Sequence, residues 1–300
     1  PLPVGFAMDH KAQISWKLGD VTSAEPPRVL LTGMHTCANC HSVSSDGRTL
    51  AMDIDFGSDK STYAVAAIEP RVQIRPSNLI AWNDFRKEDG ETTFGLLSTL
   101  SPDGKKVVST VKETIFLHFL SDPDCSQLFF PIRGVLVAYD RGLRTFRSVP
   151  GASDPDYVQT NPAFSPDGKW LVFARATLPD IPRNGGVVSP DVIAAVAPEL
   201  IEGRRRVLFD LYRIPFNGGQ GGKPEPLAGA SRNGESNFFA RYSPDGKWIV
   251  FCRASNMMLN RLDSELYIVR SSGGTPRRLR ANFPGRMNSW HSFSPNGRWL

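Results

Sequence analysis

The chain has 300 residues, of which 40% are hydrophobic and 22% charged, and its formal net charge is +5. These values exclude an intrinsically disordered chain, and no apolar run reaches the roughly 20 residues that a membrane-spanning helix needs. The basic clusters at Arg204–Arg206 and Arg277–Arg278 do not alternate with aromatic residues. We therefore expect neither a nucleic-acid partner nor a transmembrane segment.

The two ends of the sequence predict a fragment. The chain begins with Pro1 and not with methionine, and it ends at Leu300, inside what reads as a starting strand. We expect a domain truncated at one or both ends, in which the lack of a visible signal peptide carries little weight.

The first motif along the chain is Cys-Ala-Asn-Cys-His, at Cys37–His41. Two thiols at this spacing can bond the two vinyl groups of one haem, and the imidazole that follows can bind the iron from one side. The motif therefore predicts haem c as the cofactor. Cys37, Cys40 and His41 would bind it, with His41 as the proximal iron ligand.

Two other interpretations of this motif stay open. A zinc site could use His35 with the motif residues, but these four ligands lie within seven residues and no second Cys-x-x-Cys pair accompanies them. A structural or redox disulfide could join Cys37 and Cys40, but a thioredoxin-like motif belongs in a βαβ context that this chain lacks.

A turn phrase follows the motif and then recurs along the chain. In the four copies that contain proline, this residue presets φ; in every copy aspartate or asparagine bonds its own backbone and glycine supplies a positive φ. The apolar, β-branched run after each copy predicts a hairpin that leads into a buried strand. The copies are Ser101–Lys105, Ser165–Trp170, Ser243–Trp248 and Ser294–Trp299, with a weaker one at Ser44–Arg48.

The spacing of the copies predicts the fold. Further strands are expected at 134–139, 210–214 and 265–269, each followed by a turn and a short outer strand. Four strands in roughly 40–60 residues make one blade of a β-propeller, as in WD40-like repeats. We therefore predict an all-β fold, a single β-propeller domain over residues 1–300 with at least four blades present and six to eight in the complete ring.

One segment departs from the repeat. Residues 189–204 have a serine cap, a proline in the first turn and apolar residues at Val192, Val196 and Leu200. This pattern predicts a short helix inserted between strands.

The second face of the haem iron distinguishes two functions. A second protein ligand there favours electron transfer, whereas an open face permits substrate to bind. His291 is the candidate we favour, because it precedes the turn at Ser294 as His41 precedes the turn at Ser44. The competing interpretation is that His291 forms a hydrogen bond to a neighbouring turn. Weaker candidates are His10, His35, His118, Met287 and the other methionines, of which Met52, Met257 and Met258 are expected to be packing residues.

The remaining two cysteines are Cys125 and Cys252. Cys252 follows Val250 and Phe251 in a predicted strand, so we expect a buried free thiol there. A disulfide between Cys125 and Cys252 stays open, because sequence cannot show their proximity.

The segment His35–Ser44 running into Asp46-Gly47, together with Gln127–Gly134 and Arg286–Ser292, resembles bacterial TolB-like propeller proteins that have a Cys-x-x-Cys-His haem motif. The turn repeats resemble those of TolB-like propellers over nearly the whole chain. This resemblance implies the fold and the cofactor but no reaction. The haem-bearing propeller in the large subunit of hydrazine synthase is a more distant analogy.

These observations lead to one expected function and two alternatives. Haem is attached covalently outside the cytoplasm, so we expect a periplasmic or otherwise extracytoplasmic protein in electron transfer or another redox role, with a protein partner. The alternatives are a non-enzymatic TolB-like interaction scaffold and a haem enzyme with an open iron face. Whether the chain is an enzyme stays open, since no hydrolase elbow, phosphate loop or dinucleotide fingerprint is present.

Overall fold

The computed structural model describes residues 9–20, 22–33, 41–54, 59–119, 127–182 and 188–300. The described part begins with an antiparallel hairpin of β1 (Ser15–Leu18) and β2 (Arg28–Thr32). Four antiparallel units of four strands follow, and we call them blades 1 to 4. The four-stranded repeat predicted from the sequence is confirmed.

The strands of the blades follow one another in chain order. Blade 1 contains β3 (Ser42–Val43), β4 (Thr49–Asp53), β5 (Thr62–Ala67) and β6 (Leu79–Ala81). Blade 2 contains β7 (Leu96–Leu100), β8 (Lys106–Phe119), β9 (Gln127–Asp140) and β10 (Thr145–Ser148). Blade 3 contains β11 (Tyr157–Phe164), β12 (Trp170–Thr177), β13 (Asp210–Pro215) and β14 (Glu225–Pro226). Blade 4 contains β15 (Ser236–Tyr242), β16 (Trp248–Ala254), β17 (Glu265–Arg270) and β18 (Arg277–Arg278).

Helical structure is minor in the described residues. The α-helix α1 (Pro190–Ile201) lies between β12 and β13, and the Oγ of Ser189 caps it by accepting a hydrogen bond from the Val192 N–H at 3.4 Å. The predicted helical insert is thereby confirmed. Single 3₁₀ turns occupy Lys11–Gln13, Pro76–Asn78, Trp82–Asp84, Lys87–Asp89 and Asn217–Gly219. None of the described helices combines the length and apolar character that crossing a bilayer requires.

The turn phrase folds as its chemistry predicts. In blade 3 the Ser165 hydroxyl donates to Asp167 Oδ1 at 2.6 Å, and the same oxygen accepts from the Lys169 N–H at 3.1 Å. The Trp170 N–H donates back to Ser165 Oγ at 2.9 Å. Gly168 closes the turn with a φ of 70°, a conformation that glycine adopts without steric cost. The other four copies form the same serine-to-aspartate or serine-to-asparagine bond, at Ser44, Ser101, Ser243 and Ser294.

The turns of neighbouring blades stack on one another. A Cβ built on Gly168 would lie 3.7 Å from Pro102 Cδ, and one built on Gly246 would lie 3.7 Å from Pro166 Cδ. The Ser45 N–H also donates to the Pro102 carbonyl at 2.8 Å. All the turns therefore lie at one end of the blades, which we call the turn end.

The opposite end carries the insertions. The first strand of each blade runs toward the turn end and the second strand runs away from it, because the two pair antiparallel. The β8–β9 hairpin extends the second strand of blade 2 beyond the sheet, and α1 follows the second strand of blade 3, so both insertions lie at the opposite end. The first strands also begin there, which places His41, immediately before β3, at the same end as these insertions.

The hydrophobic core consists of layers between successive sheets. Tyr63 and Val65 of blade 1 pack with Val107 and Val137 of blade 2. A larger layer joins blades 2, 3 and 4 and includes Leu200 of α1, which is fully buried. Blades 2 and 3 are also joined by one parallel strand pairing, so that they form a single eight-stranded sheet. This packing holds the first strands of the four blades side by side around a cavity.

Candidate functional site

A cavity of about 640 Å³ lies among the first strands of the blades. Its walls come from all four blades and from the segment that follows β18. Pockets for small molecules and cofactors commonly have volumes of roughly 300–1,000 Å³, so this space is large enough for a cofactor-sized molecule. Lining residues that matter for its chemistry are His41, Phe239, Arg241, Asn260, Trp290 and His291.

His41 lies at the wall of this cavity, with its side chain exposed. The next residue anchors the backbone: the Ser42 hydroxyl accepts a hydrogen bond from the Leu100 N–H at 3.0 Å. The same hydroxyl lies 3.1 Å from the Tyr63 hydroxyl oxygen. Ser42 thus contacts both its own blade and the neighbouring blade. These two contacts fix the backbone beside His41. Cys37 and Cys40, the other predicted haem-binding residues, lie outside the described residues, as does His35.

His291 lines the same cavity but is only 8% exposed. Its Nε2 atom lies 3.0 Å from the Val250 carbonyl oxygen, and its Nδ1 atom lies 3.7 Å from the Cys252 sulfur. Its ring meets the Phe239 ring edge to face at a centroid distance of 5.4 Å. Burial lowers the pKa of His291 to about 3, so the ring is neutral and donates from Nε2 to Val250. As a distal iron ligand His291 stays a prediction, and binding through Nε2 would require this bond to break.

The other predicted distal candidates do not line the cavity in the described part of the chain. His118 lies on the β8–β9 hairpin, where its ring stacks on Phe116 at 6.4 Å. Met52, Met257 and Met258 are buried in the core, which confirms their assignment as packing residues. Met287 is partly buried, and His10 lies before β1.

Cys252 is a free thiol buried in β16, as the sequence predicted. Its sulfur lies 3.4 Å from the Ser289 hydroxyl and 3.5 Å from the Asn288 carbonyl oxygen. Burial raises the pKa of Cys252 to about 12, so the thiol is protonated and a poor nucleophile at neutral pH. Cys125 lies outside the described residues.

A local backbone feature that the sequence analysis missed shapes the cavity wall. Four residues before the turn serines at 101, 165, 243 and 294 the backbone has a positive φ, and in blades 2 to 4 this residue lies in the first strand, where the pairing register shifts. These residues are Leu97 (55°), Asn161 (54°), Phe239 (52°) and Trp290 (60°). Bulges of this kind re-aim side chains and recur near binding sites. The signal that could have found them is the constant distance from the turn phrase.

A charged cluster lies at the base of the β8–β9 hairpin. Lys112, which is buried, contacts Asp89 at 2.7 Å, and Arg133 contacts Glu91 at 2.9 Å. The neighbouring Glu113 is also buried, which raises the pKa of its carboxyl, and it accepts from the Gly95 N–H at 3.1 Å. The ion pairs join β8 and β9 to the segment that leads into β7, so the cluster braces the hairpin.

The described part of the chain contains no cluster of side chains suited to bind a metal ion. Over the ranges given above, which leave out residues 34–40, no three His, Cys, Asp or Glu side chains are grouped so that they could hold a metal ion.

Comparison with known proteins identifies the fold. No family model matches the chain, and no curated protein matches it. Among solved structures, TolB from Acinetobacter baumannii is similar, with a TM-score of 0.51 and 17% identity over 92% of this chain. The chain has a β-propeller fold, similar to that of this TolB. It spans 51% of the length of that TolB.

Two further structures are similar at lower scores. A putative TolB from Agrobacterium tumefaciens has a TM-score of 0.41 and 15% identity, with 91% of each chain covered. Hydrazine synthase from Kuenenia stuttgartiensis has a TM-score of 0.42 and 17% identity, with 86% of this chain and 59% of that chain covered. At such identities a likeness concerns the fold, and function has to be argued from the site.

Proposed function

We propose that the chain is an extracytoplasmic β-propeller that carries one covalently bound haem c, with a role in electron transfer or another redox process. The observation that carries the proposal is the position of His41. It completes the Cys-x-x-Cys-His motif in the sequence, and its exposed imidazole lies at the wall of a cavity of about 640 Å³. The donor set and the available volume both fit a haem.

The residues of the chain have separate roles in this proposal. Cys37 and Cys40 would form the thioether bonds, and His41 would bind the iron. Bound haem would supply a one-electron couple of the iron, and the chain would set its position and surroundings. Ser42 holds the backbone next to His41 through its bonds to Leu100 and Tyr63, which restricts how far the imidazole can move.

A second candidate is a haem protein with an open iron face, and the contacts of His291 favour it. The ring nitrogens of His291 already face Val250 and Cys252 within blade 4. A five-coordinate iron accepts external ligands, whereas two strong protein ligands favour electron transfer. The absorption spectrum of the loaded protein separates the two candidates through its spin state and its response to carbon monoxide.

The experiment that tests haem attachment is expression together with a cytochrome c maturation system. We expect an absorption band of haem that stays with the polypeptide after denaturation, and a mass increase of one haem. Cys37→Ala and Cys40→Ala together should abolish both signals. The matched control is Cys252→Ala, which removes a cysteine outside the motif and should leave both signals unchanged.

A clear negative result is also defined. If the wild-type protein shows no haem band and the thiols of Cys37 and Cys40 both titrate, the haem proposal is wrong. The interaction scaffold, in which the cysteine pair has a structural role, would then be the better description of the chain. A redox partner protein and a periplasmic location belong to the haem proposal and would lose their main support.

A further inference from the structure

We infer that the cavity binds a flat aromatic guest, and that the indole face of Trp290 is the surface on which this guest stacks. Trp290 lies in the segment after β18, lines the cavity and is 40% exposed. Pockets for small molecules are lined mainly by apolar and aromatic side chains. An aromatic face left open inside such a pocket favours a guest that covers it, because stacking of rings is more favourable than burial of their area alone.

The polar end of the Trp290 side chain is already engaged within the chain. Its indole N–H donates to Asn260 Oδ1 at 3.1 Å, and an indole has no second hydrogen-bonding group. The side chain therefore offers its apolar π surface to the cavity, and such a surface contacts a guest by stacking. The same hydrogen bond fixes the position of the ring, so little conformational freedom is lost when a guest stacks on it.

Phe239 supports the indole of Trp290. The two rings meet edge to face with a centroid distance of 5.0 Å, so in either orientation Phe239 leaves at least one face of the indole uncovered. Phe239 itself is buried, with the Arg241 guanidinium carbon 4.1 Å and the His291 ring 5.4 Å from its centroid. Phe239 and Trp290 form a pair that we call the aromatic wall, and Trp290 is its open member.

The backbone presents both rings of the aromatic wall from equivalent positions. Phe239 and Trp290 each lie four residues before a turn serine, and their φ values are 52° and 60°. Bulky side chains rarely adopt this left-handed conformation, because it brings steric clashes. Strain of this kind persists where the surrounding structure fixes it, and it is concentrated at ligand sites.

Apolar side chains from other blades also line the cavity. Leu97 and Leu100 come from blade 2, and Ala163 and Phe164 come from blade 3. The whole space measures about 640 Å³. A guest that leaves water for these surfaces gains a hydrophobic contribution in addition to its stacking on Trp290.

Two sources could supply a flat aromatic guest. The porphyrin of the proposed haem is one, because His41 lines the same cavity, and for it the inference rests on the proposed function. A free aromatic molecule from solution is the other. Both present a flat π surface, so the same side chain would contact them.

The compound 2-naphthol is a suitable probe, because its two fused rings are flat and the molecule is uncharged at neutral pH. Decahydro-2-naphthol is the matched control ligand, since it keeps the hydroxyl and the carbon skeleton but has puckered, saturated rings. We expect the full chain, produced without haem as the Cys37→Ala, Cys40→Ala variant, to bind 2-naphthol about three- to tenfold more tightly than the saturated analogue by calorimetry.

Three further substitutions in this background locate the preference for 2-naphthol. Trp290→Leu should abolish it, because leucine keeps an apolar contact but has no aromatic face. Trp290→Phe should retain most of it. The matched control is Trp299→Leu, which removes an indole that is 66% exposed and does not line the cavity. This control should leave the preference unchanged.

The haem-loaded wild type then distinguishes the two sources. Loss of 2-naphthol binding in that protein identifies the porphyrin as the guest of the aromatic wall, and unchanged binding identifies a free aromatic molecule. Failure of haem attachment alone leaves the 2-naphthol result standing, so the failure of one proposal is distinguishable from the failure of the other.

Equal affinities for 2-naphthol and its saturated analogue, or an unchanged preference in Trp290→Leu, would overturn the inference. Should Trp290→Leu fail to fold, NMR of the haem-free parent protein tests the same contact. The ring current of 2-naphthol should shift the indole signals of Trp290, and decahydro-2-naphthol should shift them less. Equal shifts with the two compounds, or none with either, would show that no aromatic guest stacks on Trp290.

Discussion

The Nε2 atom of His291 lies 3.0 Å from the carbonyl oxygen of Val250, although the two residues are 41 positions apart in the chain. This bond ties the segment that follows β18 to the second strand of blade 4. It also engages Nε2, one of the two ring nitrogens through which His291 could bind an iron. The stability of blade 4 and the coordination of the proposed haem are therefore linked through one side chain.

His291→Ala should lower the free energy of unfolding by about 2–4 kcal/mol, because it removes a buried ring and leaves the Val250 carbonyl without this donor. Urea unfolding followed by circular dichroism measures the change. If His291 is not an iron ligand, the absorption spectrum of the haem-loaded variant should match that of the wild type. A low-spin wild type that becomes high-spin in the variant would instead identify His291 as the distal ligand.

The same residue predicts a dependence of stability on pH. The pKa of His291 is about 3 in the folded protein and 6.5 as its ordinary value, so between these values the unfolded chain binds a proton that the folded protein does not. Stability should therefore fall as the pH drops from 6.5 toward 3, by at most about 1.4 kcal/mol per pH unit from this group. His291→Gln cannot titrate and should show a shallower loss than the wild type in urea melts across this range. Equal slopes of stability against pH in the two proteins would contradict the burial of a neutral His291 ring.

The Cys252 thiol should resist alkylation in the folded protein. Its sulfur is buried and burial raises its pKa to about 12, so at pH 8 neither access nor thiolate is available. Iodoacetamide followed by peptide mass analysis should show modification of Cys252 in denaturant and not before. Rapid labelling of the native protein at Cys252 would show that blade 4 opens, or that the thiol is exposed.

Two substitutions in the turn phrase separate the contribution of the Asp167 hydrogen bonds from that of its negative charge. Asp167→Ala removes the acceptor for the Ser165 hydroxyl and the Lys169 N–H, so thermal unfolding should show a loss of about 1–2 kcal/mol. Asp167→Asn is the control, because Asn296 forms the corresponding bond to Ser294 at 2.8 Å in the last copy of the turn. We expect the asparagine variant to retain most of the stability. A loss as large as that of the alanine variant would show that the charge of Asp167 matters more than its hydrogen bonds.

The carboxylate of Asp167 also predicts the direction in which stability changes with pH. The hydrogen bond from Ser165, with smaller contributions from the Lys169 backbone and charge, lowers the pKa of Asp167. A carboxyl with a lowered pKa stabilises the folded protein above its ordinary pKa of 3.8 and loses that contribution as acid protonates it. The Asp167→Asn variant should therefore be less sensitive to acid below about pH 4 than the wild type, as measured by thermal melts.

Local chemistry was enough to predict much of the fold. The hydrogen bonds of a turn such as Ser165–Trp170 join residues at most five positions apart, and the cap of α1 joins Ser189 to Val192. Bonds of such short range depend on residue type and spacing, which a sequence displays. Repetition of the turn then predicts the blades, because each copy begins a hairpin of the same kind.

The cavity depends on contacts that no short segment contains. His41 and His291 line the same cavity because the blades pack face to face and bring their first strands together. The aromatic setting of Arg241 depends on the positive φ of Phe239 and on Trp290 from beyond β18. Such placements follow from how the sheets pack and where their bulges fall, and these properties belong to the assembled blades rather than to any motif. The Cys37–His41 motif therefore predicted haem attachment. The cavity around His41 could be identified only from the packing of the blades.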